Sequence, residues 1–219
     1  MKHGDELLGH LGSLKPKEVF FRTHSLLVTG DGTPALKWGS TNVYTEDQPY
    51  FAGFRSLATN GIDKPVLNVF RMFSKMDGQR LPVSSDAAVS LPDLLRSGVR
   101  GKPDVSAMAA MNGKKLTVLV WHYHDDDVRG PDAEVRIDLL GAPKGVPKVT
   151  RHLVDETHSN SFTAWLAMGS PQQPTAEQEQ ACKLAPVDEQ ARFIEEENLS
   201  AVMVTLARQG VTLLEMMWE

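Results

Sequence analysis

Cysteine, long apolar runs and excess positive charge are all scarce in this sequence. One cysteine, Cys182, stands among 219 residues, so no disulfide can form within the chain. No window approaches 18 consecutive apolar residues, the length that a membrane-spanning helix needs. Acidic residues outnumber basic ones by 28 to 23. Since binders of nucleic acid and of anionic membranes need a basic surface, we expect neither kind of partner.

Signals for secretion and for cofactors are missing as well. The opening residues, MKHGDELL, contain no apolar stretch of the kind that a secretory signal uses, so the expected location is the cytoplasm. No Gly-rich phosphate loop and no Gly-x-Ser-x-Gly elbow occur, and we expect no cofactor. Hydrophobic residues make up 41% and charged residues 23% of the chain, which is typical of a globular protein.

Short apolar runs from about residue 80 onward predict β-structure. Asn112-Gly113, between the first two runs, is a strong signal for a tight hairpin. Six such runs between Gly and Pro signals predict an antiparallel β-sandwich. One helix is expected to interrupt them, from about Thr175 to near Pro186, because Thr175 and Gln178 fit a capping box. The six runs are 105–111, 116–123, 134–139, 148–153, 199–206 and 211–217.

A second helix is predicted just before this region. Pro65 fits the first helical position, where the missing amide proton costs nothing, and Asp77-Gly78 ends the segment. Helical spacing places four apolar side chains on one face, which we expect to be the buried one. These are Val66, Val69, Phe70 and Phe73.

The side chains best suited to bind a metal or a substrate directly follow the apolar run 116–121. They are His122, His124 and the aspartates 125–127. Alternation along a strand puts the two histidines on one side, and apolar residues on both sides predict a central strand. Imidazole and carboxylate are metal-ligand types, but a metal site would need a further ligand from elsewhere in the chain, and none is assigned. Two other readings remain open, a hydrogen-bonded strand end followed by a turn and a role facing a substrate.

Several longer segments resemble glycoside hydrolase family 39, and most of all its bacterial β-xylosidases. They follow one another in the order that the family has, and together they cover nearly the whole chain. The segments are 20–25 (FFRTHS), 30–47 (GDGTPALKWGSTNVYTED), 61–73 (GIDKPVLNVFRMF), 120–127 (VWHYHDDD), 151–152 (RH), 158–160 (HSN) and 168–175 (MGSPQQPT).

The resemblance implies a catalytic (β/α)8 barrel packed against a β-sandwich, and retaining hydrolysis by two glutamates. In the family the acid/base stands in an Asn-Glu-Pro triplet after the fourth barrel strand, and the nucleophile ends the seventh. This chain contains no Asn-Glu-Pro triplet. It passes from Asp47, which resembles the start of the barrel, directly to Gln48, which resembles a point near its end. Both catalytic glutamates are therefore expected to be absent, and no catalytic residue is assigned.

The expected architecture is mainly β. An antiparallel β-sandwich over residues 80–219 follows strand and helix remnants of a (β/α)8 barrel over residues 1–79. By resemblance, His24 ends the first barrel strand and faces the sugar pocket. His122, His124 and Asp125 belong by resemblance to a sandwich segment near the barrel. These four are the expected substrate-binding residues, and no metal is expected.

Three functions are compatible with these observations. In the first, the chain is an enzyme of the family that it resembles and retains or borrows activity. In the second, it is a non-catalytic sandwich that binds a sugar or a partner. In the third, it is a shortened product without function. The resemblance implies xylose or a xylo-oligosaccharide as the ligand. Because barrel phenylalanines without their usual neighbours would expose large apolar surfaces, we also expect a homo-oligomer that associates through residues 15–73.

Overall fold

The computed structural model describes residues 57–59, 62–126, 129–173, 175–180, 183–187, 191–196 and 199–219. The chain divides into two compact units, Met1–Gly61 and Ile62–Glu219. In the first unit the description is limited to residues 57–59, which include the short strand β1 at Ala58–Thr59. The predicted first barrel strand with His24 lies outside the described residues.

The second unit is mainly β, as the sequence predicts, and each of the six apolar runs forms a strand. Four helices accompany the strands in the described part of the chain: α1 Pro65–Ser74, α2 Leu91–Ser97, α3 Ser161–Ala167 and α4 Ala176–Gln180. The strands are β2 Ile62–Asp63, β3 Gln79–Leu81, β4 Asp104–Asn112, β5 Lys115–Tyr123, β6 Ala133–Leu139, β7 Lys148–Val154, β8 Pro186–Val187, β9 Arg192–Glu196, β10 Leu199–Leu206 and β11 Gly210–Met217. Among the described residues no helix is long and apolar enough to span a membrane.

Two larger sheets are built from these strands. One has the order β3-β4-β5-β11-β7-β8 and the other the order β6-β10-β9, and the paired strands run antiparallel. The predicted hairpin is confirmed: Asn112 pairs with Lys115, and Gly113 has a φ of 57°. A two-residue turn of this kind needs positive φ, which glycine adopts without strain.

The two sheets share one hydrophobic cluster, called the inner core here. Leu116, Val118 and Val120 of β5 alternate with residues that point away, so they reach this core together. They meet Leu206 of β10 and Leu214 of β11, which are fully buried. Burial of each large apolar side chain contributes about 1.5–3 kcal/mol, so this cluster is the main source of cohesion between the sheets.

Helix α1 packs on the opposite face of the six-stranded sheet. Pro65 occupies its first turn, as predicted, and Met72 joins Leu119 and Leu213 in a second cluster, the outer core. The predicted buried face is wrong in part, because Asn68 and Met72 are the fully buried residues and Phe73 remains 36% exposed. Asn68 turns inward because its Nδ2 donates a hydrogen bond to the carbonyl of Ser159, at 2.8 Å.

The expectation of a single helix after residue 80 is wrong. Helices α2 and α3 were not predicted, and Pro186 lies in strand β8 rather than near a helix end. Both missed helices are seven residues long and begin with a polar cap. The Ser90 hydroxyl and the Asn160 side-chain oxygen each accept from a backbone amide in the first turn. Such short helices leave little periodic pattern to detect.

Candidate functional site at the end of strand β5

His122 is held at the end of β5 by the strands on both sides, β4 and β11. It lies on the inner side of the sheet, and its side chain is almost fully buried. Its Nδ1 lies 3.0 Å from the carbonyl oxygen of Leu206. Because a carbonyl can only accept, Nδ1 donates this bond, and in the neutral ring Nε2 is left as an acceptor.

His124 is buried as well, but both of its ring nitrogens bind the chain itself. The amide of Asp126 donates to Nδ1 at 3.0 Å, and Nε2 donates to the carbonyl of Arg100 at 3.2 Å. Gln209 clamps the backbone of His124, since its Nε2 donates to the carbonyl at 2.8 Å and its Oε1 accepts from the amide at 3.3 Å. The polar groups of His124 thus form hydrogen bonds that stabilise this loop.

Asp125 ties the same loop to the segment after α2. Its Oδ2 accepts from the amide of Val99 at 2.8 Å, and its own amide donates to the Val99 carbonyl at 2.8 Å. Gly98, with a φ of 70°, permits this approach, because a Cβ there would collide with Oδ2. Burial raises the pKa of the neighbouring Tyr123, and a hydrogen bond to Asp125 and its charge add to the rise. These contacts favour the hydrogen-bonded strand end among the readings that the sequence left open.

A pocket of about 320 Å³ opens beside His122. One wall is formed by Arg208, whose guanidinium lies against the backbone of Gly130 so closely that a Cβ at Gly130 would collide with it. The side chains around the pocket are mostly apolar, with charged groups among them. They are Ala87, Lys102, Pro103, Val105, His122, Pro131, Asp132, Ala133 and Arg208.

A second polar cluster, called the Glu215 cluster here, lies on the outer side of the six-stranded sheet. Glu215 Oε1 lies 2.8 Å from His152 Nε2 and 3.1 Å from Lys75 Nζ, and Oε2 lies 3.2 Å from Lys115 Nζ. Burial of the carboxyl opposes its ionisation, but the hydrogen bonds from Lys75, His152 and Lys115 outweigh this and lower the pKa of Glu215. The cluster joins the end of α1 to three strands.

Sequence reasoning did not assign a role to the Glu215 cluster, although a signal was present. Alternation along β11 places Glu215 on the same side as Leu213 and Val211, so it is a carboxylate on an otherwise apolar face. A charge on such a face needs partners. The identity of those partners depends on strand order and on the placement of α1, which alternation does not give.

A third polar group fixes the loop between β7 and α3. The amides of Thr157 and His158 each donate to Asp155 Oδ1 at 2.7 Å, and His158 Nδ1 lies 3.0 Å from the same oxygen. Burial opposes ionisation of Asp155, but these hydrogen bonds and the nearby imidazole outweigh it and lower its pKa. The segment 158–160 that carries part of the family resemblance is therefore anchored below helix α1, where Asn68 contacts Ser159.

The expected site residues do not converge on one open surface. His124 and Asp125 are bound internally, His122 borders the pocket, and His24 lies outside the described residues. Within the ranges that the structure describes, no group of three or more His, Cys, Asp or Glu side chains is placed to hold a metal ion.

The chain is similar to known proteins over most of its length. A model of the family described as glycosyl hydrolases family 39 matches residues 37–195. The curated β-xylosidase of Caldicellulosiruptor saccharolyticus is 25% identical over 139 residues, which is 61% of this chain and 25% of that protein. This chain thus spans a quarter of the length of that relative.

Solved structures share the fold. The family 39 enzyme of Xanthomonas axonopodis pv. citri matches with a TM-score of 0.58 at 20% identity, over 78% of this chain and 33% of the other. A monomeric β-xylosidase of Caulobacter crescentus matches with a TM-score of 0.54 at 20% identity, over 77% of this chain and 34% of the other. Most of each solved relative therefore lies outside the matched region.

Proposed function

Because the chain belongs to glycosyl hydrolase family 39, we propose that it is a β-xylosidase-type family member that lacks a hydrolytic centre of its own. One observation carries this proposal: His124 and Asp125, which the resemblance placed near a sugar, bind backbone groups of their own chain. Retaining hydrolysis needs two carboxyl groups about 5–5.5 Å apart around the scissile bond. The sequence has no Asn-Glu-Pro triplet to supply the family acid.

The proposed architecture is a β-sandwich that follows remnants of a barrel. The inner core supports it, because side chains of the six-stranded and the three-stranded sheet contribute to one cluster. By resemblance, the segment 65–76 corresponds to the last barrel helix, which packs on the sandwich, and the packing of α1 on the outer face of the six-stranded sheet supports this assignment. We place the boundary between barrel remnant and sandwich at residues 79 and 80.

The substrate class follows from the family and from the names of the relatives. We propose xylose or a xylo-oligosaccharide as the ligand, because the relatives are named as β-xylosidases. Because the chain spans a quarter to a third of those relatives, their catalytic activity does not transfer with the fold.

A second function, binding without catalysis, is favoured by the pocket beside His122. A concave site with apolar walls and a few polar groups is the usual form of a small-molecule site. In this reading the sandwich is a sugar- or partner-binding module.

Hydrolysis of a chromogenic aryl β-xyloside by the purified chain tests the proposal. We expect no turnover above that of a mock preparation from the same host. A full-length family 39 β-xylosidase is the positive control, and its acid/base Glu→Gln variant sets the background for trace contamination. Turnover by this chain that exceeds that background and co-purifies with it would overturn the proposal.

Self-association through residues 15–73 is a separate proposal. The sequence of this segment carries phenylalanines that belong to barrel elements in the family, and large exposed apolar surfaces associate in water. Multi-angle light scattering over a concentration series should give a mass above that of one chain. A constant monomer mass at the highest concentration would contradict it.

A further inference from the structure

We propose that Asn112 is a site of spontaneous deamidation and that the neighbouring carboxylate of Asp77 slows the reaction. The reaction takes place in the hairpin between β4 and β5, and it needs neither a sugar site nor a catalytic glutamate. Deamidation converts a neutral amide into a carboxylate, so it changes the charge at the end of the six-stranded sheet.

The reaction joins the side chain of one residue to the backbone of the next. The backbone nitrogen of Gly113 loses its proton to hydroxide and attacks Cγ of Asn112, so that a cyclic succinimide forms. The bond from Cγ to Nδ2 breaks, and the side-chain nitrogen leaves as ammonia. Water then opens the ring at either of its carbonyls and gives aspartate or isoaspartate. The net change is the uptake of water and the release of ammonia, without oxidation or reduction.

The attacking backbone amide is unhindered. Gly113 is exposed and carries no side chain, and a Cβ built on it would meet no atom within 4 Å. Its N–H makes no hydrogen bond with any residue that the structure describes. A larger residue would shield this nitrogen, but the φ of 57° in the tight turn favours glycine. The hairpin therefore uses the residue type that leaves Asn112 least protected.

One hydrogen bond restrains the amide side chain of Asn112. Its Nδ2 donates to Asp77 Oδ2 at 2.8 Å, and this bond, helped by the ammonium of Lys115, lowers the pKa of Asp77. The acceptor is therefore ionised at neutral pH, which strengthens the bond. Attack requires Cγ to approach the Gly113 nitrogen, and the bond to Asp77 fixes the amide in another orientation. The negative charge of Asp77 also opposes the loss of a proton from the nearby backbone.

The product places a second carboxylate beside Asp77. Asn112 stands opposite Lys115 in the register of the hairpin, and Lys115 Nζ lies 3.5 Å from Asp77 Oδ1 and 3.2 Å from Glu215 Oε2. A carboxylate at position 112 would compete with Glu215 for this ammonium and would repel Asp77. Isoaspartate also lengthens the backbone by a methylene group, which disturbs the pairing of β4 with β5. Deamidation therefore weakens the Glu215 cluster, which joins α1 to the sheet.

The test is prolonged incubation of the full chain in mildly alkaline buffer at a fixed temperature. Tandem mass spectrometry of its peptides locates the conversion and separates Asn112 from Asn60, which is also followed by glycine. Isoaspartyl methyltransferase measures the isoaspartate. We expect steady conversion at position 112 in wild type and far less in Asn112→Gln, because glutamine must close a larger ring. Absence of conversion at Asn112 in the wild-type chain would overturn the proposal.

Two substitutions of Asp77 separate its hydrogen bond from its charge. Asp77→Ala removes both, and we expect conversion to become about fivefold faster, the ratio that one hydrogen bond of ordinary strength gives. Asp77→Asn keeps an acceptor oxygen without the charge, so its rate should lie between those of wild type and Asp77→Ala. Asp86→Ala, at an exposed aspartate near the other end of β4, should convert at the wild-type rate. Equal rates in wild type and Asp77→Ala would overturn the role of Asp77.

Hydrogen exchange distinguishes a direct restraint from general opening of the hairpin. Backbone amides of β4 and β5 should exchange alike in wild type and Asp77→Ala. If their exchange accelerated as much as the conversion does, the direct restraint by Asp77 would be wrong. Asn112→Asp reproduces the aspartate product, and in this variant the amides of α1 should exchange faster than in wild type. Unchanged exchange in α1 would contradict the effect on the Glu215 cluster.

Discussion

His152 and Glu215 meet across two neighbouring strands, with His152 Nε2 at 2.8 Å from Glu215 Oε1. In the register of β7 and β11 Glu215 stands opposite Thr150, so His152 is its diagonal neighbour, within reach of a long side chain. Lys75, at the end of α1, binds the same carboxylate oxygen. One carboxylate thus connects the helix to the sheet that it covers.

Removal of this charge should loosen helix α1. Glu215→Gln keeps the size of the side chain but replaces charge-assisted hydrogen bonds by neutral ones, so we expect the free energy of unfolding to fall by about 2 kcal/mol. Urea denaturation measures the change. Glu156→Gln is the matched control, since Glu156 and its partner Arg129 are both exposed and the change should stay within about 0.5 kcal/mol. Equal effects of the two variants would contradict the role of the cluster.

Acidification should lower the free energy of unfolding through the same carboxylate. The folded-state pKa of Glu215 is lowered, so its contribution is complete above the ordinary glutamate pKa of about 4.3 and is lost as the pH falls further. The stability difference between wild type and Glu215→Gln should therefore shrink on acidification from pH 6 to about pH 3. A difference that is constant over this range would show that the carboxylate is not responsible.

Gly78 should tolerate no side chain. Its φ is 93°, and a Cβ would collide with the carbonyl oxygen of Met111, which is backbone and cannot rotate away. We expect Gly78→Ala to lower the free energy of unfolding by about 3 kcal/mol. Gly101→Ala, whose Cβ meets nothing within 4 Å, should change it by less than about 1 kcal/mol. Thermal unfolding of the two variants side by side makes the comparison.

The inner core should be sensitive to truncation. Leu206 is fully buried between the sheets, so Leu206→Ala should cost about 2–5 kcal/mol through lost burial and a cavity. Leu140, which is 87% exposed, provides the same chemical change without a cavity. Leu140→Ala should therefore lie within about 0.5 kcal/mol of wild type in urea denaturation. A small effect at Leu206 would mean that the two sheets do not share a packed core.

Asp125 should matter to stability rather than to sugar binding. Asp125→Ala leaves the buried amide of Val99 without its acceptor, so we expect a loss of about 1–3 kcal/mol. Asp86→Ala, at an exposed aspartate, is the control. In urea denaturation, a loss no larger than that of Asp86→Ala would mean that the assignment of Asp125 to the loop is wrong.

Local patterns predicted most strands but not the partners of their side chains. Alternation found β5, and Asn112-Gly113 found its hairpin, because both signals lie within a few neighbouring residues. The buried face of α1 was predicted only in part, because hydrophobicity ranks Phe73 above Asn68. In the structure the amide of Asn68 finds a carbonyl 91 residues away, which no local pattern contains.

The candidate site shows the same division. The residue types from His122 to Asp125 predicted a polar strand end, and in the structure His122 and His124 are buried there while Tyr123 is exposed. Contacts from other parts of the chain determine which of these side chains borders the pocket. Leu206 fixes the ring of His122, and Arg208 with Gly130 forms the wall. These contributions come from strands and loops that are distant in sequence.

The outermost strands of the six-stranded sheet limit how copies of this protein can join. β3 has three residues and β8 has two, and the first residue of β8 is Pro186, which has no amide proton to donate. A free sheet edge presents unpaired backbone groups to which a strand of another copy can pair, and short edge strands present few of them. β3 and β8 therefore offer little backbone to a neighbouring copy. The edge strand β6 of the other sheet is longer, with seven residues, but its exposed Glu134, Arg136 and Asp138 place charges of both signs where a second strand would have to dock.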